Sequence, residues 1–451
     1  MLETWVRFDP SDWQSRPPMI FGRIMGSIKP SSLWEDPSPL RAELLGVDRL
    51  EEHGRSLAAS QPVQRRNIRK NPLASRLADN AACLLVANHA IAQAAAQARH
   101  VTPAAQWLLD NYHLVDMQIR EIGIDLPPKY YAELPKLAEG PFAGLPRVFS
   151  AVWSLVSHTD SNVEPEIMRR YFLAYQEVQP LSIGELWAVP ITLRIVLIEN
   201  LRRLAHIIVG NAAARHAADD LADRLLGHGG RIAEPWPDLL GEVTRDQVTP
   251  AFAVQFAHRL RGRYAQHDLA LAWLDQRLDQ GGTTIEAVVR DELQRQSVDN
   301  ATIQNIITSL RMIDGLDWSE AFERICLVDG VLADACDFHG MDFPTRNLYR
   351  TAIEKLARGS RRAELDVARL AATMALRAPA TGKAEGREAD PGYYLVAGGR
   401  PAFEAAIGFR PTVVARFGRA FRALGMGGYA AAILAMTAIF IAAALWALAQ
   451  V

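Results

Sequence analysis

The stretch Trp107-Leu-Leu-Asp-Asn-Tyr-His-Leu-Val-Asp-Met-Gln-Ile-Arg-Glu-Ile122 decides the fold class. Leu108, Tyr112, Val115, Ile119 and Ile122 recur at intervals of three and four, the period of one buried helix face. Asp110, Asp116, Gln118, Arg120 and Glu121 fall largely on the other sides. Thr102-Pro103 offers a cap and a first turn. Pro127-Pro128 stops the pattern near Asp125, because proline has no N–H with which to continue a helix. The spacing predicts a single amphipathic helix over 107–125.

The same period extends in both directions. It predicts helices over 40–58, 74–99, 146–158, 165–178 and 182–208. Ser182 and Glu185 form a capping box for the last of these. Leu186, Leu193, Leu197, Leu201, Leu204 and Ile208 make its inner face, and Pro190 is expected to kink it. Glu199 reaches Arg202 and Arg203 at helical spacing, a pairing worth only tenths of a kcal/mol (about 0.2–0.5) where exposed. Shorter helices follow over 216–226, 236–240, 250–264, 269–278, 284–296, 300–316, 318–335, 345–358 and 364–375. No strand is predicted between residues 36 and 376, and Asp390-Pro-Gly-Tyr-Tyr-Leu-Val-Ala-Gly-Gly-Arg400 reads as a turn and short strand or hook. The expected fold is all-α, a multi-helix bundle or solenoid-like domain.

With 451 residues and 49% hydrophobic content, the chain can bury two or three cores. A net charge of -2 gives no global field that would recruit nucleic acid. Cys83, Cys326 and Cys336 form neither a disulfide framework nor a CxxC pair, and read as structural thiols of a reducing compartment. The opening Met1-Leu-Glu-Thr-Trp-Val-Arg-Phe-Asp-Pro10 lacks the basic-then-apolar order of a signal peptide. Arg65, Arg66, Arg69 and Lys70 read as a solvated linker rather than a contact with anionic lipid.

The other end differs. Gly427 to Val451 contains no charged residue, and its core, 429–448, has the length of about 20 residues that a helix needs to cross a bilayer. Arg410, Arg416, Arg419 and Arg422 precede it with no acidic residue among them, which places the preceding part in the cytoplasm. The expected organisation is an irregular arm (1–35), two helical subdomains (36–212 and 213–376), a linker with a basic juxtamembrane segment (377–425) and a transmembrane helix (426–451). Two origins fit such an ending: a tail-anchored protein, or the front of a longer membrane protein.

Candidate chemistry is sparse. Asp110, Asp116, Glu121, Asp125 and Glu133 could supply the two carboxylates of a glycosidic acid–base pair, but carboxylates on an amphipathic helix are ordinarily a solvated face. His113 with Asp116, and His158 with Asp160, lack the further ligands that zinc requires. No phosphate-cradling glycine motif and no GxSxG elbow occurs. Trp107, Tyr112, Tyr130, Tyr131, Trp153 and Trp187 could stack on sugar rings but read as core. No catalytic, cofactor-binding or metal residue is assigned.

The string 107–122 resembles the amino-terminal region of bacterial cyclic β-1,2-glucan synthases. So do Tyr131-Ala-Glu-Leu-Pro-Lys-Leu, His158-Thr-Asp-Ser, Val178-Gln-Pro-Leu-Ser-Ile-Gly-Glu-Leu-Trp and Glu199-Asn-Leu-Arg-Arg-Leu. Ile307-Thr-Ser-Leu-Arg-Met-Ile, Met341-Asp-Phe-Pro-Thr-Arg-Asn-Leu-Tyr-Arg and Asp390-Pro-Gly-Tyr-Tyr-Leu continue it in the same order, over most of 36–411. The resemblance implies a very large inner-membrane enzyme that builds its glucan from UDP-glucose with a divalent metal. The transferase motifs of that family lie beyond the first membrane crossing, so none maps onto a residue here and no cofactor is expected in this chain. Expected partners are the membrane, a transferase domain in the same or a longer chain, and nascent β-1,2-glucan, with no nucleic acid. The implied role is a non-catalytic, cytoplasmic and membrane-anchoring part that supports the transferase. Two alternatives stay open: a self-contained tail-anchored scaffold, and a helical glycoside-active enzyme using the carboxylates near 110–133.

Overall fold

The computed structural model describes residues 36–64, 71–227, 236–260, 265–377, 387–411, 433–434, 436–443 and 446. They are overwhelmingly helical. In chain order the elements are α1 (Val47–Ser60), β1 (Val63–Gln64), α2 (Pro72–Ala96), α3 (Pro103–Asp110), α4 (Tyr112–Asp125), α5 (Pro128–Glu133), β2 (Lys136–Leu137), α6 (Arg147–His158) and α7 (Pro165–Val178). Then come α8 (Ile183–Trp187), α9 (Val189–Leu226), α10 (Trp236–Glu242), α11 (Pro250–Leu260), α12 (Ala265–Asp279) and α13 (Ile285–Gly315). The described globular part ends with α14 (Trp318–Ile325), α15 (Leu327–Ala333), α16 (Phe343–Ser360), α17 (Glu364–Leu376), α18 (Pro391–Val396) and α19 (Arg400–Ile407).

The described residues gather into two compact units, within 1–179 with 188–321 and within 180–187 with 322–451. The first is organised on α9. At 1.5 Å per residue its 38 residues span roughly 57 Å. Its first half, from Val189 to Ala205, is buried on every side, which is why it carries no clean amphipathic stripe. Helices α2, α4 and α6 pack on that half. The second half turns Ala218, Leu221, Ala222 and Leu225 toward Phe252 and Phe256 of α11. Gly227, in the left-handed region at φ 66°, caps it.

Several boundaries differ from the sequence reading, each for a local reason. The helix expected over 107–125 is two, because Asn111 turns its side-chain amide onto the Trp107 carbonyl at 2.8 Å and ends α3. Pro190 does not kink a helix. It sits in the first turn of α9, where no N–H is required of it, and the chain breaks after Trp187. The two helices expected over 284–316 are one, since nothing in Ser297-Val-Asp299 interrupts α13. The helix expected over 318–335 splits at Cys326, which is extended. Asp390 caps a helix, α18, instead of opening a strand. Two short strands also exist within 36–376: Val63 pairs with Leu137 and Gln64 with Lys136. Two residues are too few to display alternation.

The arm 1–35, the basic residues 65–70 and Arg416, Arg419 and Arg422 lie outside the described residues, as does much of the span expected over 426–451. Among the described residues no helix is long and apolar enough to cross a membrane. The described part of that span is helical, and Leu434, Phe440 and Trp446 are each about 70% exposed.

Candidate functional site: the mount of segment 387–411

The second unit is built around a buried arginine. Arg350 of α16 is 0% exposed. Its Nε donates to Asp329 Oδ1 at 3.0 Å, and its Nη2 donates to Asp329 Oδ2 at 2.6 Å and Glu323 Oε1 at 2.8 Å. The guanidinium also faces the rings of Phe322, Phe338 and Phe343 at 4.9, 5.7 and 5.6 Å. Trp187 stacks on Phe322 at 4.4 Å and so ties the inserted segment 180–187 into the same unit. Burial pushes the Asp329 carboxyl up, with Arg350 opposing it. Replacing a whole buried pair of this kind by apolar groups is often neutral, whereas removing one partner alone is strongly destabilising.

The same helix holds the chain that leads to the apolar end. The Tyr349 hydroxyl donates to Asp390 Oδ1 at 3.0 Å, and that oxygen also accepts the Gly392 N–H at 2.6 Å. A Cβ at residue 392 would overlap the Tyr349 hydroxyl, so only glycine permits this approach. At the far end of α16, Phe409 lies on Gly359 and the Arg410 N–H donates to the Gly359 carbonyl at 3.0 Å. Arg362 Nε reaches the Ile407 carbonyl at 3.3 Å. Helix α18 packs on α16, α17 and α19. Segment 387–411 is thereby fixed at both ends, and in sequence it precedes the remaining basic residues and the apolar run.

Four of the five candidate carboxylates have amide or guanidinium partners. Asp110 accepts from Gln106 at 2.7 Å, and Asp116 pairs with Arg120 at 2.6 Å one turn on. Glu121 and Asp125 flank Arg194 of α9 at 3.5 and 3.8 Å, and Glu133 is exposed. Of the aromatic set, Tyr131 is fully buried and Tyr112 partly so, with burial and Asp116 pushing the Tyr112 hydroxyl up to about 12. His113 is exposed, and His158 packs against His53 at 4.5 Å with its Nδ1 2.7 Å from the Glu43 carbonyl oxygen. Among the described residues no group of three or more His, Cys, Asp or Glu could hold a metal ion. All three cysteines are free thiols.

Two motifs of the resemblance prove to be staples of the first unit. Asp160 and Ser161 both take positive φ, 47° and 63°, a costly backbone that persists only where neighbours over-determine it. They do here: Thr302 Oγ1 donates to Asp160 at 2.6 Å, Asn305 to the Asp160 carbonyl at 3.0 Å, Ser309 to the Ser161 carbonyl at 2.7 Å and Asn200 to Ser161 Oγ at 2.8 Å. Glu199 is 1% exposed rather than solvated. It accepts from Arg76 of α2 at 2.8 and 2.9 Å, from Arg202 at 3.1 Å and from Arg203 at 2.9 Å. Burial would push its carboxyl up, but the three guanidiniums outweigh that and hold it at about 2. Arg76 stands far off in sequence, so spacing alone could not reveal the cluster. The partners of Arg350, Asp329 and Glu323, likewise lie outside its motif, Met341 to Arg350, and spacing within the motif does not reveal them.

No family model matches the chain. It is 35% identical over 389 residues to the cyclic beta-(1,2)-glucan synthase NdvB of Rhizobium meliloti (strain 1021). The match takes in 85% of this chain and 14% of that protein, so the chain spans about one seventh of its relative's length. By sequence, the chain is a relative of the amino-terminal region of a bacterial cyclic β-(1,2)-glucan synthase.

Proposed function

We propose that this chain is the non-catalytic amino-terminal part of a cyclic β-(1,2)-glucan synthase, and that it anchors the protein in the inner membrane and supports assembly of the transferase. The observation that carries the reading is the double clamp of α16 on segment 387–411, through Tyr349–Asp390 at one end and Gly359–Phe409 at the other. A mount fixed as far as Arg410, on the side of the domain's sequence that leads to the uncharged run 427–451, suits transmission of a membrane position to a folded domain. The length and composition of that run support a spanning helix. So do the exposed apolar side chains of its described part, which water would not favour. Residues 1–425 then lie in the cytoplasm by the basic flank. UDP-glucose and a divalent metal belong to the transferase, not to this chain. The partners of the carboxylates at 110–125, Gln106 for Asp110, Arg120 for Asp116 and Arg194 for both Glu121 and Asp125, support the non-catalytic role.

The test uses membranes from cells expressing the full 451-residue chain. Alkaline carbonate should leave it in the membrane pellet, and purified chain given UDP-glucose and Mg²⁺ or Mn²⁺ should form no glucan. Release by carbonate would refute the anchor. Glucan formation by the chain alone would refute the non-catalytic role.

A further inference from the structure

We propose that the first unit carries a binding site for a neutral saccharide, in a cavity of about 300 Å³ between the end of α1, the loop after β2 and the start of α6. Small-molecule sites of this size are mixed surfaces, an apolar wall with a few convergent polar groups. Here the wall is Phe142 and the polar groups are Ser60, Gln61, Glu139 and Ser150.

The groups are held before any ligand arrives. Gln61 is 8% and Ser150 1% exposed. Gln61 Nε2 donates to Ser150 Oγ at 2.7 Å, while Gln61 Oε1 accepts from Tyr175 at 3.0 Å and its carbonyl from Gln179 at 3.3 Å. The Ser60 hydroxyl donates to the Leu57 carbonyl at 2.9 Å, which leaves its lone pairs to accept. Phe142 is fixed by edge contacts from Phe149 at 6.0 Å and Trp153 at 5.5 Å. The loop that presents it turns on Gly140 and Gly144, both at positive φ (83° and 81°), and is pinned by Ala138 N–H to the Pro62 carbonyl at 2.9 Å and Gly144 N–H to the Leu137 carbonyl at 2.9 Å. Fixed groups lose little freedom on binding, and so more of the contact energy appears as affinity.

The chemistry selects the ligand class. A phenyl wall offers a flat apolar face to the C–H side of a pyranose ring. Hydroxyl, amide and carboxylate groups match the alternating donors and acceptors of sugar hydroxyls. Glu139, exposed and without an ion pair among the described residues, is the one charged side chain on the described lining. A carboxylate accepts sugar O–H groups strongly and repels phosphate. On its described lining the site suits an uncharged saccharide over a sugar phosphate or nucleotide sugar. That the saccharide is glucose-built rests on the proposed relation to glucan synthesis; the site itself rests on the cavity.

The experiment is calorimetric titration of the full chain, in a detergent without a sugar headgroup, with the β-1,2-linked glucose disaccharide. Saturable binding is expected, about tenfold weaker in Phe142→Ala, the value of one aromatic stacking contact. Glu139→Gln, at an exposed position, should weaken it several-fold with an unchanged melting midpoint. Glucose 1-phosphate should bind at least tenfold more weakly than the disaccharide. Absence of saturable binding to the wild-type chain, binding unaltered in both variants, or preference for the phosphate would each overturn the site. None of these results touches the anchoring role, which the carbonate extraction tests separately.

Discussion

The ring of Phe409 lies on Gly359, and the next residue, Arg410, donates its N–H to the Gly359 carbonyl at 3.0 Å. A side chain at 359 would have to displace the ring, and with it the backbone bond beside it. Gly359→Leu should therefore raise hydrogen exchange at the amides of Phe409 and Arg410 and cost about 1–3 kcal/mol of stability, the usual range for overpacking. Exchange mass spectrometry of peptides covering 400–411 reads it.

Arg350 gives a larger effect. Removing it leaves Asp329 (0% exposed) without its cation inside the second unit, while Glu323 keeps Arg346 at 3.1 Å. Arg350→Met should cost about 3–5 kcal/mol, whereas Arg350→Met with Asp329→Leu should cost less than the single change. Urea midpoints of the three proteins decide it.

Glu199 predicts an acid limb. Its folded pKa, about 2, lies below the ordinary carboxylate value, so its contribution is complete above the unfolded pKa of about 4.5 and is lost as pH falls toward 2. The melting midpoint of the first unit should drop across that window. Glu199→Gln should flatten this part of the profile while lowering stability at neutral pH, where it removes the carboxylate to which Arg76, Arg202 and Arg203 all donate.

Glu364 predicts the opposite slope in the second unit. It accepts the Ile183 N–H at 2.7 Å. Burial pushes its carboxyl up; Glu354 and Glu185 add to that while Ile183 and Arg358 oppose, and the result is about 7. The folded state then holds a proton the unfolded chain has released, so stability falls as pH rises from about 4.5 to 7. Glu364→Gln should remove that slope, as seen in melts recorded at pH 5 and pH 8.

How much was legible in the sequence depended on the range of the cause. Helical class was plain, because Leu108, Val115 and Ile122 are indeed buried at 0–2% and the period that reports this is local. The Ser182–Glu185 box was legible for the same reason: the Ser182 N–H donates to Glu185 at 2.9 Å and the Glu185 N–H to Ser182 Oγ at 3.3 Å. Asn111 hid its break, since an asparagine amide folding back on a carbonyl leaves the apolar spacing intact. The burial of Glu199 and Arg350 depended on partners more than 100 and about 20 residues away, Arg76 and Asp329. The cavity at Phe142 depended on α1, β2 and α6 converging, and no single stretch encodes that.

The most direct measurement is glucan formed from UDP-glucose per molecule of membrane-held synthase, in a chimera where this chain replaces the matched region of the Rhizobium meliloti protein. The account predicts an active chimera. Gly359→Leu should lower the quantity held in the membrane, and Asp110→Asn and Glu133→Gln should leave it unchanged, with glucan per molecule the same in all three. A loss of glucan per molecule in Asp110→Asn or Glu133→Gln, with the membrane-held quantity intact, would contradict it.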